Sequence, residues 1–448
     1  MLILYSLALL LVLVLGAPWW LFRMATSGKY REGLTERLGL LPQRIRGSLT
    51  ANVVWIHAVS VGEVLAASRL IEQLEGKLTG SGGRRRHDQW RIMISTTTRT
   101  GQALARERFG AERVFYFPLD LGWAVRAWLR ALRPRLLVLA ETEFWPRMLT
   151  ECRRARIPVA VVNARISDRS WPRYRRLARW WRPLLARLAL VLAQTELDAT
   201  RLRELGAANV RVAGNLKYDV RAPGESGLAL KLRRNLAPEA RVLVCGSTLR
   251  GEEELLLDAL TAGAVTGDVV TILAPRHPER FGEVADLLRR RGARWMQRSE
   301  WGAAPDRLQA GTIFLLDSIG ELASLYALAD AAFVGGSLVP AGGHNPLEAA
   351  QFGVPVIMGT SYENFRGIVE KLREHDAIRI AQPAELRSAL AEMLSGSPES
   401  RAVGARAREV FEREAGATER TVEALLELLR KHSASAEEQP RTRAEVRS

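Results

Sequence analysis

The sequence predicts an α/β protein with two doubly wound domains, and three observations support that fold class. Short apolar runs alternate with amphipathic helical patterns, which is typical of parallel strands covered by helices on both faces. Residues 215–227 (NLKYDVRAPGESG) mix proline, glycine and charge and interrupt the alternation once, as an interdomain linker does. With 448 residues, 47% of them hydrophobic and 25% charged, the chain can bury two sizeable cores.

The first element is an uncharged segment, 2–22 (LILYSLALLLVLVLGAPWWLF), which is long enough to cross one bilayer as a helix. A secretory signal is the alternative interpretation. No basic residue precedes the apolar run and no A-x-A cleavage site directly follows it, whereas Trp19, Trp20 and Arg23 stand at its end. We therefore expect residues 1–22 to form an uncleaved membrane anchor, with the rest of the chain in the cytoplasm.

Two series of predicted strands follow, and each defines one domain. The first domain, 23–217, and the second, 218–435, are expected to face each other across a cleft. Residues 436–448 are charged, small and polar, and we expect a disordered tail there. The apolar runs of the first domain are NVVWIHAV, WRIMIST, RVFYFPL, RLLVLAE, IPVAVVNA, LALVLAQT and NVRVAGN, and those of the second are RVLVCGST, DVVTILAP, TIFLLDS, AAFVGGS and VPVIMG.

The charge of the chain points to anionic partners. A net charge of +16 and a pI near 10.6 suit nucleic acid, anionic lipid or phosphorylated substrates. Residues 169–187 (RSWPRYRRLARWWRPLLAR) contain arginines and tryptophans but no acid, which is typical of a helix at a lipid interface. A solvated arginine face and a nucleic-acid patch are the alternatives there. The predicted anchor favours lipid, and the basic run at 81–91 (SGGRRRHDQWR) is interpreted as a solvated loop.

Polar residues follow the predicted strands at the edge where open α/β sheets bind ligands. In the first domain, HAVSVGE places Glu63 at the start of a helix, and LAETEFWP places Glu141 and Glu143 at the end of another strand. A glutamate in a first turn commonly only complements the helix dipole, but a carboxylate at this edge is also a candidate general base. The local sequence leaves both roles open for Glu63.

In the second domain three segments offer groups that bind anions. LAPRHPER contains Arg276, and LLDSIGEL contains a turn at Gly320 that leads into a helix. In GGSLVPAGGHNPLEAAQFGVPVIMG we expect Asn345 to N-cap a helix, with Pro346 in its first position and Glu348 as a capping-box carboxylate. The start of a helix after a parallel strand suits a phosphate. The three segments together predict a phosphate-bearing donor substrate.

Several motifs of other protein classes are absent from the sequence. It contains no GxxxxGK[ST], which argues against a P-loop ATPase, and no GxGxxG directly after a strand, which argues against a dinucleotide oxidoreductase. It has no D-x-D to hold a metal-bound diphosphate. Cys152 and Cys245 lack CxxC spacing, so a structural zinc site is excluded and a reducing compartment is favoured. A metal-free transferase fits these observations best.

The ordered motifs resemble the 3-deoxy-D-manno-octulosonic acid (Kdo) transferases of lipid A assembly. The resemblance extends from the N-terminal segment to about residue 430. It implies a glycosyltransferase of the GT-B type, with the acceptor in the first Rossmann-like domain and CMP-Kdo in the second. The motifs are HAVSVGE, AETEFWP, VNARIS, GNLKYD, PRHPER, SIGEL and GGSLVPAGGHNPLEAA.

The resemblance also implies roles for individual residues. Glu63 would be the base that deprotonates the acceptor hydroxyl, and Glu141 and Lys217 would stabilise the transition state. Glu36, in LTERLGL, is the second candidate for the base, although it is also expected to pair with a neighbouring arginine. Glu348 is expected to bind the ribose hydroxyls. The contacts to CMP are assigned to Pro275, Arg276, Ile319, Gly320, Glu321, Asn345, Pro346, Leu347 and Glu348.

The implied function is inverting transfer of Kdo from CMP-Kdo to a lipid A precursor (lipid IVA) in lipopolysaccharide core biosynthesis. The expected partners are CMP-Kdo, the lipid A precursor and the anionic surface of the inner membrane, on its cytoplasmic face. No metal or other cofactor is expected. The alternatives are a UDP-sugar transferase or epimerase of the same architecture and, in a different class, a membrane-tethered nucleic-acid binder.

Overall fold

The chain forms two compact units, Met1–Val220 together with Ala415–Ser448, and Arg221–Glu414. A computed structural model describes residues 2–27, 31–46, 52–80, 89–222, 226–261, 269–302 and 307–437. Most of the basic run at 81–91 and of the predicted tail therefore lies outside the described residues. Each unit is built on a parallel sheet of seven strands.

The strands of the first unit coincide with the seven apolar runs predicted for the first domain. They are β1 (Asn52–His57), β2 (Trp90–Thr96), β3 (Val114–Tyr116), β4 (Leu136–Ala140), β5 (Val159–Ala164), β6 (Leu190–Ala193) and β7 (Val210–Val212). Their order is β3-β2-β1-β4-β5-β6-β7, a doubly wound sheet that reverses between β1 and β4. Every residue of β4 and β5 is buried, because helices cover both faces of the sheet.

The helices of the first unit precede and connect these strands. They are α1 (Leu2–Ser27), α2 (Leu34–Arg37), α3 (Gln43–Arg46), α4 (Val61–Gly80), α5 (Arg99–Phe109), α6 (Gly122–Leu132), α7 (Pro146–Arg154), α8 (Trp171–Arg176), α9 (Ala178–Leu185) and α10 (Glu196–Glu204).

The second unit repeats the architecture, with the strand order β10-β11-β9-β8-β12-β13-β14. Five of its strands match predicted runs: β8 (Arg241–Thr248), β9 (Val269–Pro275), β11 (Ile313–Leu315), β12 (Ala331–Val334) and β13 (Val356–Met358). The sequence did not predict β10 (Trp295–Gln297) or β14 (Arg379–Ile380). Both are short edge strands with no fully buried residue, so neither produces an apolar run. The parallel α/β fold class is confirmed.

The helices of the second unit cover its sheet, and a last helix returns to the first unit. They are α11 (Gly227–Asn235), α12 (Glu252–Thr261), α13 (Phe281–Arg290), α14 (Leu322–Leu325), α15 (Leu347–Ala350), α16 (Arg366–Glu374), α17 (Leu386–Leu394) and α18 (Pro398–Arg413), followed by α19 (Ala417–Glu437).

Helix α19 explains why the units differ from the predicted domain boundaries. The prediction placed residues up to 435 in the second domain, whereas those from Ala415 onward lie in the first unit. The buried carboxylate of Asp219 accepts the N–H groups of Gly416, at 2.7 Å, and Thr418, at 2.5 Å. Leu425 and its apolar neighbours then join the core of the first unit. The start of α19 is thus attached to the first unit by a residue distant in sequence.

The predicted transmembrane anchor requires a correction. The segment is helical, and α1 extends beyond the apolar run to Ser27, with Pro18 inside it. Within the part of the chain that the structure describes, however, no helix has the length and apolar character needed to cross a membrane. The helix was predicted correctly, and its membrane crossing was not found.

Candidate active site

Glu63 lies on the first turn of α4, shortly after β1. The backbone N–H of Val59 donates to Glu63 Oε2 at 2.8 Å, and the Ser60 hydroxyl donates to Oε1 at 3.0 Å. The carboxylate therefore caps the start of its own helix, as the simpler local interpretation expects. These two bonds leave acceptor sites on the carboxylate for a substrate hydroxyl, because an ionised carboxylate offers about four.

The surroundings of Glu63 raise its pKa to about 7. Burial is the largest cause, and the negative charge of Glu141 is the next. The hydrogen bonds from Val59 and Ser60 oppose the rise, and Glu143 adds a smaller contribution to it. A general base is most effective when its pKa is near the working pH, so the same side chain that caps α4 is suited to accept a proton near neutral pH.

Glu141 is the first residue after β4 and has a left-handed backbone, with a φ of 57°. Its N–H donates to the carbonyl oxygen of Val162 on β5 at 2.9 Å. This conformation is costly for a residue with a Cβ and is typical of functional sites. Glu141 Oε1 lies 4.0 Å from Lys217 Nζ, which places the two side chains at the limit of an ion pair.

Lys217 is held by a short turn beside β5. Asn163 Oδ1 accepts the N–H of Leu216 at 3.1 Å, and Asn215 Oδ1 accepts the N–H of Lys217 at 3.0 Å. The three residues predicted to be catalytic thus meet at the carboxyl edge of the first sheet. The charge of Glu141 acts on Glu63, and its carboxylate neighbours the ammonium group of Lys217.

Glu36, the second candidate for the base, is buried and hydrogen-bonded within the protein. The residue is only 5% exposed. It accepts a hydrogen bond from Arg44 at 2.5 Å and one from the N–H of Tyr116 at 2.8 Å. The expected arginine pair is therefore present. The carboxylate joins α2 to β3, and each of its oxygens already accepts a hydrogen bond within the protein. The choice between Glu36 and Glu63 as the base stays a prediction.

Arg276 and Glu348 are electrostatic neighbours at the carboxyl edge of the second sheet. Pro275 ends β9, and the N–H of Arg276 donates to the carbonyl oxygen of Thr248 at 3.0 Å. Burial raises the pKa of Glu348, while the positive charge of Arg276 and a hydrogen bond with the Asn345 side chain oppose that rise. This carboxyl group is therefore poorly solvated and has a cation nearby.

The turn at Asn345 differs from the predicted cap. Helix α15 begins at Leu347, one residue later than expected, and Pro346 occupies the cap position. Asn345 Oδ1 accepts the N–H of Leu347 at 3.2 Å, so Asn345 still satisfies one N–H group of the turn. The capping box assigned to Glu348 is not formed, because its carboxyl group interacts with Arg276 and the Asn345 side chain.

The Ser318–Glu321 turn follows β11. Gly320 has a φ of 90°, a conformation that strongly favours glycine. The carboxylate of Glu321 accepts hydrogen bonds from Arg298, both at 3.2 Å, and from the Ser318 hydroxyl. Ile319 is 67% exposed at the tip of the turn. Glu321 thus fixes the turn, and Ile319 offers an apolar surface.

The predicted nucleotide-binding segments all follow carboxyl ends of strands in one parallel sheet. They follow β9, β11 and β12, which lie within the order β11-β9-β8-β12. The structure thus places the three segments at one edge of the second sheet, and ligand binding there stays a prediction.

The sequence prediction missed Glu252, which lies on the first turn of α12. Its fully buried carboxylate accepts the N–H of Leu249 at 2.8 Å. It also accepts those of Gly336, at 2.7 Å, Ser337, at 2.9 Å, and Leu338, at 2.9 Å. The backbone amides after β12 thus bind an anion that the chain itself supplies. No local signal reveals this, because the partners lie 84 to 86 residues apart.

The chain has two doubly wound units, each built on a seven-stranded parallel sheet, and this defines a GT-B-like fold. A solved structure supports that fold class. A putative UDP-N-acetylglucosamine 2-epimerase from Listeria monocytogenes matches with a TM-score of 0.56 at 13% identity. The match covers 86% of this chain and 97% of the other. At that identity it shows the fold alone.

The family is shown by sequence. Residues 32–220 match the family model described as 3-Deoxy-D-manno-octulosonic-acid transferase (kdotransferase). The 3-deoxy-D-manno-octulosonic acid transferase of Haemophilus influenzae is 34% identical over 407 residues, covering 89% of this chain and 92% of the relative. That of Bordetella pertussis is 34% identical over 420 residues, covering 91% and 94%. The chain therefore belongs to the 3-deoxy-D-manno-octulosonic acid transferase family, and the predicted resemblance is confirmed.

Proposed function

We propose that this enzyme transfers Kdo, with inversion, from CMP-Kdo to a lipid A precursor in lipopolysaccharide biosynthesis. The observation that most supports the proposal is the pKa of Glu63, raised to about 7 at the carboxyl edge of the first sheet. Membership of the 3-deoxy-D-manno-octulosonic acid transferase family supports Kdo as the sugar that is transferred. We assign the acceptor to the first unit and the donor to the second.

Glu63 is the general base in this reaction. Its ionised carboxylate accepts the proton of a glucosamine hydroxyl of the acceptor, tetra-acylated lipid IVA. The oxygen of that hydroxyl then forms a bond to the anomeric carbon of Kdo. The bond from that carbon to the CMP phosphate breaks at the same centre, and CMP leaves with the bonding electrons. The Val59 and Ser60 hydrogen bonds keep the carboxylate in one position throughout.

Lys217 and Glu141 are assigned to the stabilisation of developing charge. The ammonium group of Lys217 is a cation for the negative charge that grows as CMP departs. Glu141 orients it, since Glu141 Oε1 is 4.0 Å from Lys217 Nζ. Glu141 has a second effect, because its charge raises the pKa of Glu63.

The donor site is assigned to Arg276, Glu348 and the turns at Ile319 and Asn345. Arg276 binds the single phosphate of CMP, and Glu348 accepts hydrogen bonds from the ribose hydroxyls. The exposed side chain of Ile319 packs against the cytosine ring of CMP. The remaining assigned contacts, Pro275, Gly320, Glu321, Pro346 and Leu347, shape these turns. We propose that no metal is needed, since Lys217 and Arg276 supply the positive charge.

We also propose that the enzyme works at the anionic, cytoplasmic surface of the inner membrane. Support comes from α8 and α9, whose exposed side chains include Arg175, Arg176 and Arg179, next to Leu177 and Trp180, which are 41% and 49% exposed. Arginines beside exposed apolar groups suit a lipid headgroup region. Replacing the three arginines with glutamine is expected to weaken binding to anionic vesicles, and unchanged binding would contradict this surface.

The experiment that tests the proposed reaction is transfer of Kdo from CMP-Kdo to the lipid A precursor, in the presence of EDTA, with mass spectrometry of the lipid product. Wild type is expected to transfer Kdo and Glu63→Ala to bind CMP without transfer. Glu72→Ala, on an exposed part of the same helix, is the matched control and should transfer normally. No transfer by folded wild type, or protection by UDP-sugars instead of CMP-Kdo, would refute the assignment.

A further inference from the structure

The first unit contains a cavity at the end of its sheet opposite to Glu63 and Glu141. The cavity has a volume of about 560 Å³ and is lined by Val159, the first residue of β5, and by Ala189, just before β6. Glu141, in contrast, follows the last residue of the neighbouring strand β4. A strand as long as β5 spans roughly 20 Å. The cavity is therefore separate from the candidate active site.

The titratable groups that line this cavity are all basic. They come from three parts of the chain: Arg153 in the last turn of α7 with Arg156 just after that helix, Arg187 after α9, and Lys431 with His432 on α19. Among the described residues, no carboxylate lines the cavity. Lys431 has a partner nearby, since its Nζ lies 2.6 Å from Glu427 Oε1.

Arg153 and Arg187 lack such a partner, because neither forms an ion pair with any residue in the described part of the chain. Arg187 is exposed, and the desolvation that it does experience, followed by repulsion from Arg153, lowers its pKa. Two guanidinium groups that line the same cavity and repel each other are stabilised by an anion bound to both, and phosphate accepts bidentate hydrogen bonds from arginine.

The other wall of the cavity is apolar. It is formed by Leu149, Ile157, Pro158, Leu184, Leu188 and Leu428. A free inorganic ion would leave this surface in contact with water, whereas a ligand that joins a phosphate to an apolar group would cover it.

We propose that this cavity binds a phosphorylated amphiphile, a molecule in which a phosphate is attached directly to an apolar group. The phosphate lies between Arg153 and Arg187, and the apolar group lies against Leu184 and Leu428. This site is additional to the transfer reaction, and its occupancy does not depend on the donor or on the acceptor of that reaction.

The proposal is tested by isothermal titration of the full-length protein with two probes. Dihexanoyl phosphatidate represents a lipid source of the phosphate, and phenyl phosphate represents a soluble source. At least one probe is expected to bind. The probe that binds more tightly shows whether the phosphate of the ligand belongs to a lipid or to a soluble molecule. Inorganic phosphate is expected to bind at least tenfold more weakly than that probe, because it lacks the apolar group. If inorganic phosphate binds as tightly as that probe, the proposal that the ligand is an amphiphile is overturned.

Matched variants distinguish this site from nonspecific attraction by a basic protein. The double variant Arg153→Gln/Arg187→Gln is expected to lose at least tenfold in affinity for the tighter probe. Arg154→Gln removes the same charge from the adjacent residue, whose guanidinium bonds to Glu151 at 2.9 Å and does not line the cavity. It should bind as wild type does. Equal losses in both variants, or none in the double variant, would refute the site.

Arg187→Glu provides a second, independent measurement. It replaces a repulsion with an attraction to Arg153, so the unliganded protein should melt at an equal or higher temperature, while the shift produced by the tighter probe disappears. A lower melting temperature with the ligand-induced shift retained would contradict the proposed pairing.

Discussion

In each unit a Gly-Glu pair stands at the start of the helix that follows the first strand in the chain. Gly62 and Glu63 lie in the first turn of α4, after β1, whereas Gly251 directly precedes α12 and Glu252 is its first residue, after β8. In both, the glutamate accepts a backbone N–H from the preceding turn, at 2.8 Å. From there the two sites differ. Glu252 is fully buried and receives three further N–H groups, whereas Glu63 receives one hydroxyl and faces the charge of Glu141.

This difference shows how one local signal serves two purposes. Four N–H donors stabilise an ionised carboxylate and fix both the group and the loop that supplies them. Burial, and then the charge of Glu141, disfavour the charged form of Glu63 and raise its pKa to about 7. We infer that the first unit keeps its capping glutamate available for proton transfer, while the second uses its own to hold the loop after β12.

Replacing Glu63 has the largest expected effect on activity. Glu63→Gln should lower kcat by ~10²–10⁴, because the amide cannot accept a proton from the acceptor hydroxyl. The amide oxygen can still accept the Val59 N–H, so the helix start should remain intact. Steady-state transfer assays measure the loss, and Glu72→Gln is the control.

The same variant has a pH-dependent effect on stability that checks the environment of Glu63. A carboxyl group with a raised folded-state pKa stabilises the fold below its unfolded pKa, and this stabilisation is lost as pH rises through about 7. Glu63→Gln should therefore melt higher than wild type at pH 8, with the advantage shrinking toward pH 4. An advantage that is constant across this range would contradict the raised pKa.

Removing Glu252 should mainly reduce stability. Glu252→Ala leaves the buried N–H groups of Gly336, Ser337 and Leu338 without their acceptor and is expected to cost about 3 kcal/mol in the free energy of unfolding. Urea denaturation measures this. Glu254→Ala, on an exposed position of the same helix, should change stability by less than about 0.5 kcal/mol. Equal losses of stability in Glu252→Ala and Glu254→Ala would contradict the structural role that distinguishes Glu252 from Glu63.

The parts of the fold that sequence predicts best are those determined by local pattern. Fully buried strands such as β4 and β5 appear as apolar runs, but the edge strands β10 and β14 do not. Contacts between distant residues were missed: Asp219 attaches the start of α19 across 197 residues, and Glu252 binds amides at least 84 residues away. The role of Glu63 came from family resemblance, because its local pattern equally fits a cap.

Glu348→Ala tests whether the second unit also has a carboxyl group available to a ligand. The variant is expected to weaken CMP-Kdo binding by about 1–3 kcal/mol through the loss of one or two hydrogen bonds to the ribose. Equilibrium binding of CMP measures the effect, and Glu370→Ala, on the exposed side of α16, is the control. An unchanged affinity would mean that Glu348 only supports the turn around Asn345.

The smallest expected effect is a shift in the pH profile, and it tests the coupling within the first unit most directly. The negative charge of Glu141 raises the pKa of Glu63, so Glu141→Gln should lower that pKa and move the acid limb of kcat/KM below its wild-type position near 7. The plateau rate is also expected to fall, because Lys217 loses its carboxylate neighbour. Glu143→Gln removes a smaller influence on the pKa of Glu63 and is the matched control, so it should move the limb less. A limb that stays in place in Glu141→Gln while the plateau falls would contradict the effect of Glu141 on the pKa of Glu63 and would leave burial as the main cause of the raised value.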